Sequence, residues 1–307
     1  MVPKGIQPYY EPCWQGFQDA GKKYGVKTEF RAPELFQLTQ QVQVLEDLVS
    51  RHVTGITISA VDDTGLDNVV DQATKAGIKV ITFDSAAPST SALCYIGTSN
   101  EVAGYDAGVE LAKLMDNKGQ LAILQGGLGA TNLNQRRAGL IKALKEKAPN
   151  IQVVGLSDTE GKIEEATKKT EDLLQANPNL RAIFGVSSEC VPGAENVFKD
   201  KMKKGQLKKG QILLAGFDDQ KETLDAIRAG DCQFSIAQKT YKMGWLSLEV
   251  LRAAHQGKPI PKNIDTGVEL IRKDNVDTYM QDMKKEVQSL ASGSFENATT
   301  TAATQAK

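Results

Sequence analysis

An α/β architecture, doubly wound and divided into two similar lobes, follows from three features of the sequence. Short runs that are apolar throughout alternate with amphipathic helical segments, which is the pattern of parallel sheets covered on both faces. Glycines recur where helical periodicity gives way to extended segments. The number of such units exceeds what one small sheet holds. With 307 residues, 40% of them hydrophobic, the chain is long enough for a substantial core and for two domains or one large one.

Met1 to Gly5 reads as the end of a strand, so that most of a first strand is expected to be missing. Gln7 to Tyr24 reads as a loop and a first helix closed by Gly25. Gly77, Gly119 and Gly230 stand in the same setting, each before a strand-like segment, where a glycine relieves the left-handed strain that ends a helix. Val42, Leu45 and Val49 share one helical face, and Ile163, Ala166, Thr170 and Leu173 share another. The predicted strands are Gly55 to Val61, Lys79 to Phe83, Leu121 to Gln125, Ile151 to Leu156, Ala182 to Val186 and Ile212 to Phe217, with Phe234 to Ala237 and Gly267 to Ile271 after them. Gly97 to Asn100 is a natural break between two sets of units. Ser289 to Lys307 has small polar residues and little to bury, and is expected to be a disordered tail.

Composition excludes several function classes. A net charge of -1 with both signs interspersed leaves no electrostatic footprint for nucleic acid or an acidic membrane. No apolar run approaches the roughly 20 residues that span a bilayer, and no signal-peptide core stands at the N-terminus. Cys13, Cys94, Cys190 and Cys232 form no C-x-x-C and are expected to be structural or incidental thiols, with disulfide pairing left open. The two histidines, His52 and His255, lie at helix ends without companion ligands, which argues against a metal site or histidine acid-base chemistry.

Near-miss motifs are set aside on spacing. Gln125 to Ala130, QGGLGA, fails G-x-G-x-x-G and opens no helix directly. Gly155 to Lys162, GLSDTEGK, is one residue too long for a P-loop, with Ile163 where a Ser or Thr is needed, and reads as a loop before a helix. Gly185 to Glu189 lacks the second glycine of a nucleophile elbow. No cofactor, metal or catalytic residue is expected.

What remains is polar residues at the ends of apolar strands, where open α/β sheets present groups to a ligand. The segment Lys79 to Pro88, KVITFDSAAP, delivers Asp84 to such an end, and a buried carboxylate requires a charged or hydrogen-bonding partner. Lys4 and Ser59 are placed similarly in the first half. Asn132 and Arg136 follow LAILQGG, Ser187 and Glu189 follow AIFGV, Asp218 follows ILLAGF, and Gln238 follows FSIA. Each single position is equally readable as a helix cap or surface residue; the repeated placement favours a site.

These segments also carry a resemblance. Val2-Pro3-Lys4-Gly5, Gln7-Pro8-Tyr9-Tyr10, ITISAVDDTGL, VITFDSAAP, NQRRAGL, LLAGFDD, IAQKTYKMG and DTGVELIRKDNV occur in an order that resembles the periplasmic sugar-binding proteins of ABC transporters. The type is ribose/galactose-binding, in the V-P-K-G branch that includes autoinducer-2 binding relatives. The resemblance spans Val2 to about Val287. It implies a type I periplasmic binding protein: two Rossmann-like lobes joined by three crossovers, hinged about a cleft. The N-terminal lobe would comprise residues 1–99 and 239–263, and the C-terminal lobe residues 100–238 and 264–288.

By the same resemblance, Tyr9 and Tyr10 stack on an apolar sugar face, Asp84 accepts from sugar hydroxyls, Arg136 donates from the opposite lobe, and Asp218 and Gln238 supply further contacts. Ser59 and Ser187 stand where ribose-binding members carry asparagines, so the ligand need not be ribose. Lys4 is where the autoinducer-2 relatives hold theirs. The implied function is capture of a monosaccharide or similar small polyol and delivery to an ABC permease, by a monomer in the periplasm or on the extracellular face, without catalysis. The alternatives are the effector domain of a sugar-responsive repressor, a receptor for a sensor kinase or chemoreceptor, and, further off, a Rossmann-type oxidoreductase.

Overall fold

A computed structural model describes residues 1–292. Its strands are β1 (Gly55–Ile58), β2 (Lys79–Phe83), β3 (Tyr95–Gly97), β4 (Lys118–Gln125), β5 (Asn150–Asp158), β6 (Leu180–Gly185), β7 (Leu213–Phe217), β8 (Phe234–Gln238), β9 (Asn263–Asp265) and β10 (Val268–Arg272). Its helices are α1 (Glu11–Tyr24), α2 (Leu38–Ser50), α3 (Asp67–Lys75), α4 (Asn100–Leu114), α5 (Thr131–Lys147), α6 (Ile163–Ala176), α7 (Cys190–Lys203), α8 (Lys221–Ala229), α9 (Thr240–His255) and α10 (Val276–Ser292).

The strands form two sheets, ordered β1-β2-β3-β9 and β10-β8-β7-β6-β4-β5. All pairings are parallel except β10 with β8. Parallel strands need both faces covered, and each sheet is covered. In the first, Phe17, Phe83, Trp245 and Leu246 pack on one face, and Leu45, Ile58, Val69 and Val70 on the other. In the second, Leu121, Leu140, Phe184 and Phe217 oppose Ile183, Val191, Phe198 and Ile227.

Three crossovers join the lobes: Thr98 and Ser99 lead from β3 to α4, Lys239 leads from β8 to α9, and Thr266 and Gly267 lead from β9 to β10. They are tied to one another. Thr98 Oγ1 donates to Gln238 Oε1 at 2.8 Å, and Ser99 Oγ donates to Asp265 Oδ2 at 2.7 Å. The second passage through the first lobe runs to Asp265, because β9 pairs with β3.

Helices α4 and α5 cross closely at glycines. A methyl group on Gly104 would land on the Arg136 carbonyl, and one on Gly139 on the Glu101 carbonyl. This approach fixes the height of α5, which carries two site residues.

Several expectations shift. Strands β3 and β9 escaped the sequence reading, since three residues are too few to show a period. The stretch Gly55 to Val61 is strand only to Ile58. GLSDTEGK is not all loop: β5 runs to Asp158, and only the turn from Thr159 precedes α6. Helix α10 runs to Ser292, into the stretch expected to be disordered; the rest of that stretch lies outside the described residues. The four cysteines are buried free thiols.

Candidate ligand-binding site

The site is assembled from the carboxyl ends of strands in both sheets and from the first turns of α5. Asp84 ends β2 with φ 57°, and Asp218 ends β7 with φ 73°. Asn132 and Arg136, four residues apart, lie on one face of α5 and are both buried.

Asp84 is the hub. Its Oδ1 accepts from Tyr9 OH at 3.0 Å and from Asn132 Nδ2 at 3.0 Å. Its Oδ2 accepts from Ser59 Oγ at 2.5 Å and Tyr10 OH at 3.1 Å, and lies 3.4 Å from Lys4 Nζ. Lys4 Nζ also donates to Asn132 Oδ1 at 2.9 Å. Lys4 and Asp84 belong to the first lobe and Asn132 to the second, so this triangle spans the cleft. A carboxylate offers about four lone-pair sites; in this arrangement protein donors occupy them.

Burial opposes charge on Asp84, but Lys4, Arg136 and the Ser59 and Tyr9 donors outweigh it and hold the carboxyl below its usual range. Burial lowers the Lys4 pKa; Asp84 opposes that shift and Arg136 adds to it. The Tyr9 and Tyr10 hydroxyls are pushed well up, by burial and by Asp84.

Arg136 is 1% exposed. Its Nε donates to Asn100 Oδ1 at 2.9 Å and its Nη1 to the Val186 carbonyl at 3.0 Å, while the guanidinium sits 4.4 Å from the centre of the Phe217 ring. Its Nη2 is buried with no hydrogen-bond partner among the described residues. Asp218 Oδ1 accepts from Gln238 Nε2 at 2.7 Å. Burial raises the Asp218 pKa to about 7, against the pull of Arg136 and Gln238.

The sequence-predicted residues therefore fall into three groups. Lys4, Tyr9, Tyr10, Ser59, Asp84 and Asn132 form one hydrogen-bonded network. Arg136, Asp218 and Gln238 lie beside it, with Arg136 felt electrostatically by both aspartates. Ser187 and Glu189 turn to each other: Ser187 Oγ donates to Glu189 Oε1 at 2.7 Å and accepts from Gly126 N–H at 3.0 Å, and Thr159 Oγ1 donates to the same Glu189 oxygen. Their bonds shape the ends of β4, β5 and β6. The tyrosines meet edge to face at 5.0 Å rather than lying parallel.

Sequence reasoning missed Asn100, Thr98, Tyr95 and Phe217. Phe217 was legible as the neighbour of Asp218, since Phe83 precedes Asp84 in the same way. Asn100 and Thr98 were hidden in the crossover, where no periodic signal exists. Tyr95 OH donates to the Asp84 carbonyl at 2.9 Å and accepts from Asn100 Nδ2 at 3.1 Å, linking the Asp84 turn to the Arg136 anchor.

Two lobes of mainly parallel sheet, tied by three crossovers and facing each other across buried charged and aromatic groups, define a hinged binding protein. The chain belongs to the periplasmic binding protein domain family, whose model matches residues 1–259. It is similar to the solute-binding protein of an ABC transporter from Burkholderia graminis, solved in complex with D-arabinose, with 38% identity and TM-score 0.87 over 91% of this chain and 96% of that one. A carbohydrate transporter solute-binding protein from Agrobacterium radiobacter, also solved with D-arabinose, matches at 25% identity and TM-score 0.85 over 92% and 96%. The ribose import binding protein RbsB of Bacillus subtilis is 24% identical over 86% of this chain and 83% of its own length. No helix among the described residues is long and apolar enough to cross a membrane.

Proposed function

We propose that the protein captures a monosaccharide, with an aldopentose the first candidate, between its two lobes and presents it to an ABC permease. It acts as a monomer outside the cytoplasmic membrane and carries out no reaction. The observation that carries this reading is the buried Arg136 Nη2, an unmatched cationic donor whose charge both Asp84 and Asp218 feel. Leaving such a donor unmet costs about 1–3 kcal/mol or more, and a sugar hydroxyl or ring oxygen meets it. The D-arabinose complexes of two relatives support the pentose choice.

In this reading Arg136, Asp218 and Gln238 hold one side of the sugar. Asp84 accepts a sugar hydroxyl at the position that Asn132, on the opposite lobe, vacates as the lobes part. Tyr9 and Tyr10 cover the C–H face and keep their hydroxyls on Asp84. Charge-assisted hydrogen bonds supply selectivity and the aromatic rings supply the apolar surface. Contacts drawn from both lobes favour the closed form, which a permease can distinguish from the open one.

A thermal-shift screen against pentoses, hexoses, polyols and furanosyl autoinducer-type compounds tests the function. A ligand at about 100 times its Kd stabilises the fold by about 2.7 kcal/mol. A pentose is expected to give the largest shift; no shift with any of these compounds would overturn the proposal.

A further inference from the structure

The lobes also meet at a place that the groups around Asp84 and Arg136 do not use. In the second sheet the crossovers reach β8 and β10, whereas β5 is the opposite edge, four strand spacings or about 19 Å from β8. In the first sheet β1 lies likewise away from β3 and β9, where the crossovers leave. The turn from Thr159 to Lys162, which follows β5, is therefore at the mouth of the cleft and far from the hinge. There it meets the first-lobe loop that leads into α2.

Phe36 is the centre of this contact. Its loop is tied to the helix that follows: Leu35 N–H donates to Gln40 Oε1 at 3.1 Å, and Gln37 N–H donates to the Leu35 carbonyl at 2.7 Å. The Phe36 ring lies over Gly5 in its own lobe and reaches Gly161 and Gly127 in the other; a methyl group added at these glycines would stand 2.6, 2.9 and 4.0 Å from the ring. Gln7 Nε2 donates to the Gly161 carbonyl at 2.5 Å. Beside them, a methyl group on Gly129 would stand 2.9 Å from Asp62 Oδ2. Gly161 has φ 71°, so its turn disfavours a side chain in any case. Gly5 has no such need, and what fills the space beside it is the ring. Phe36 is half-buried, and the hydrogen bonds of Asp84, Arg136, Asp218 and Gln238 all go to other residues.

We propose that Phe36 is a latch at the cleft mouth: an apolar contact between the lobes, outside the sugar's reach, that keeps a fraction of the protein closed without sugar and slows release of a bound one. The second half of this statement rests on the reading of the cleft as a sugar site. Distance from the crossovers gives the contact leverage. A small hinge rotation parts the ring from Gly161 and Gly127 while moving the crossovers little, so the contact exists in the closed form alone. An interaction made in only one of two states shifts their equilibrium by its whole free energy. For a ligand held by the closed form, the apparent Kd is the intrinsic one divided by the closed fraction. Loss of the latch therefore weakens every such ligand by the same factor, and a residue touching the sugar would weaken different sugars unequally.

The test compares the full chain with Phe36→Ala and with Phe36→Leu, which keeps an apolar side chain and reads the same effect in smaller measure should the alanine variant fail to fold. X-ray scattering in solution without sugar measures lobe opening, and both variants are expected to be more extended than the wild type. Stopped-flow and calorimetric titrations with D-arabinose and a second sugar that binds are expected to show affinity in Phe36→Ala weakened by about three- to tenfold, equally for both sugars and through faster dissociation. Identical scattering of the wild type and the variants would overturn the latch, whether or not any sugar binds. So would losses that differ between the sugars, which would make Phe36 a sugar contact. A wild type that binds no sugar overturns the proposed function instead, and the scattering comparison alone then decides the latch.

Discussion

Asp84 and Asp218 end interior strands of different sheets in the same left-handed backbone conformation, at φ 57° and 73°, each directly after a buried phenylalanine. Asp and Asn tolerate that region better than other residues bearing a side chain. One local device therefore delivers a carboxylate to the cleft from each lobe, and the surroundings separate their behaviour. Asp84 has Lys4 and several donors and stays ionised; Asp218 has fewer donors, is deeply buried and is raised to about 7.

The Lys4–Asp84 pair gives the first prediction. Removing the carboxylate strands a buried ammonium, which costs about 3–5 kcal/mol. Asp84→Ala is therefore expected to lose stability as well as binding. Lys4→Met combined with Asp84→Asn is expected to recover much of the stability but not the binding. Urea denaturation of the wild type and the two variants checks this; full stability in Asp84→Ala alone would contradict it.

Arg136 gives the second. Lysine keeps the charge but loses the planar fork that reaches Asn100, Val186 and the open Nη2 position together. Arg136→Lys is expected to weaken sugar binding by about 10- to 100-fold, or about 1.4–2.8 kcal/mol. Calorimetric titration measures it.

The third concerns pH. The folded state keeps the Asp218 proton over a range in which the unfolded chain, with a carboxyl near 3.9, has released it. Stability from this group is thus full below about pH 4 and lost as pH rises through about 7. Asp218→Asn is expected to flatten the stability profile across that window. Sugar hydroxyls that donate to Asp218 favour its charged form, so affinity rises with pH through about 7 and binding releases a proton. Calorimetry in two buffers of different ionisation enthalpy detects this release, which is expected to vanish in Asp218→Asn.

The fourth tests the α4–α5 crossing. A methyl group on Gly104 collides with the Arg136 carbonyl rather than with a flexible side chain. Gly104→Ala is expected to cost about 1–3 kcal/mol and to weaken binding, because α5 carries Asn132 and Arg136. A denaturant midpoint and a titration on the same preparation check both effects.

Much of this arrangement is legible in the amino-acid sequence. Apolar runs such as Lys79 to Phe83 marked the interior strands because burial on both faces leaves no polar alternation. Glycines such as Gly25, with φ 66°, marked helix ends. Strand ends then located Asp84 and Asp218. Partners were harder to see. That Asn132 bridges Lys4 and Asp84 depends on lobe closure, which local sequence does not encode. Ser187 and Glu189 occupy the expected strand end yet bond to each other, because residue type at a strand end does not fix which way a side chain turns.

The most direct measurement is a calorimetric titration of the wild-type protein and Arg136→Met with D-arabinose and a panel of other pentoses and hexoses. Saturable single-site binding of at least one sugar to the wild type, strongly weakened in a folded Arg136→Met, is the predicted result. Absence of binding across the panel, or undiminished affinity in the variant, would contradict a sugar site built around Arg136 and the two aspartates.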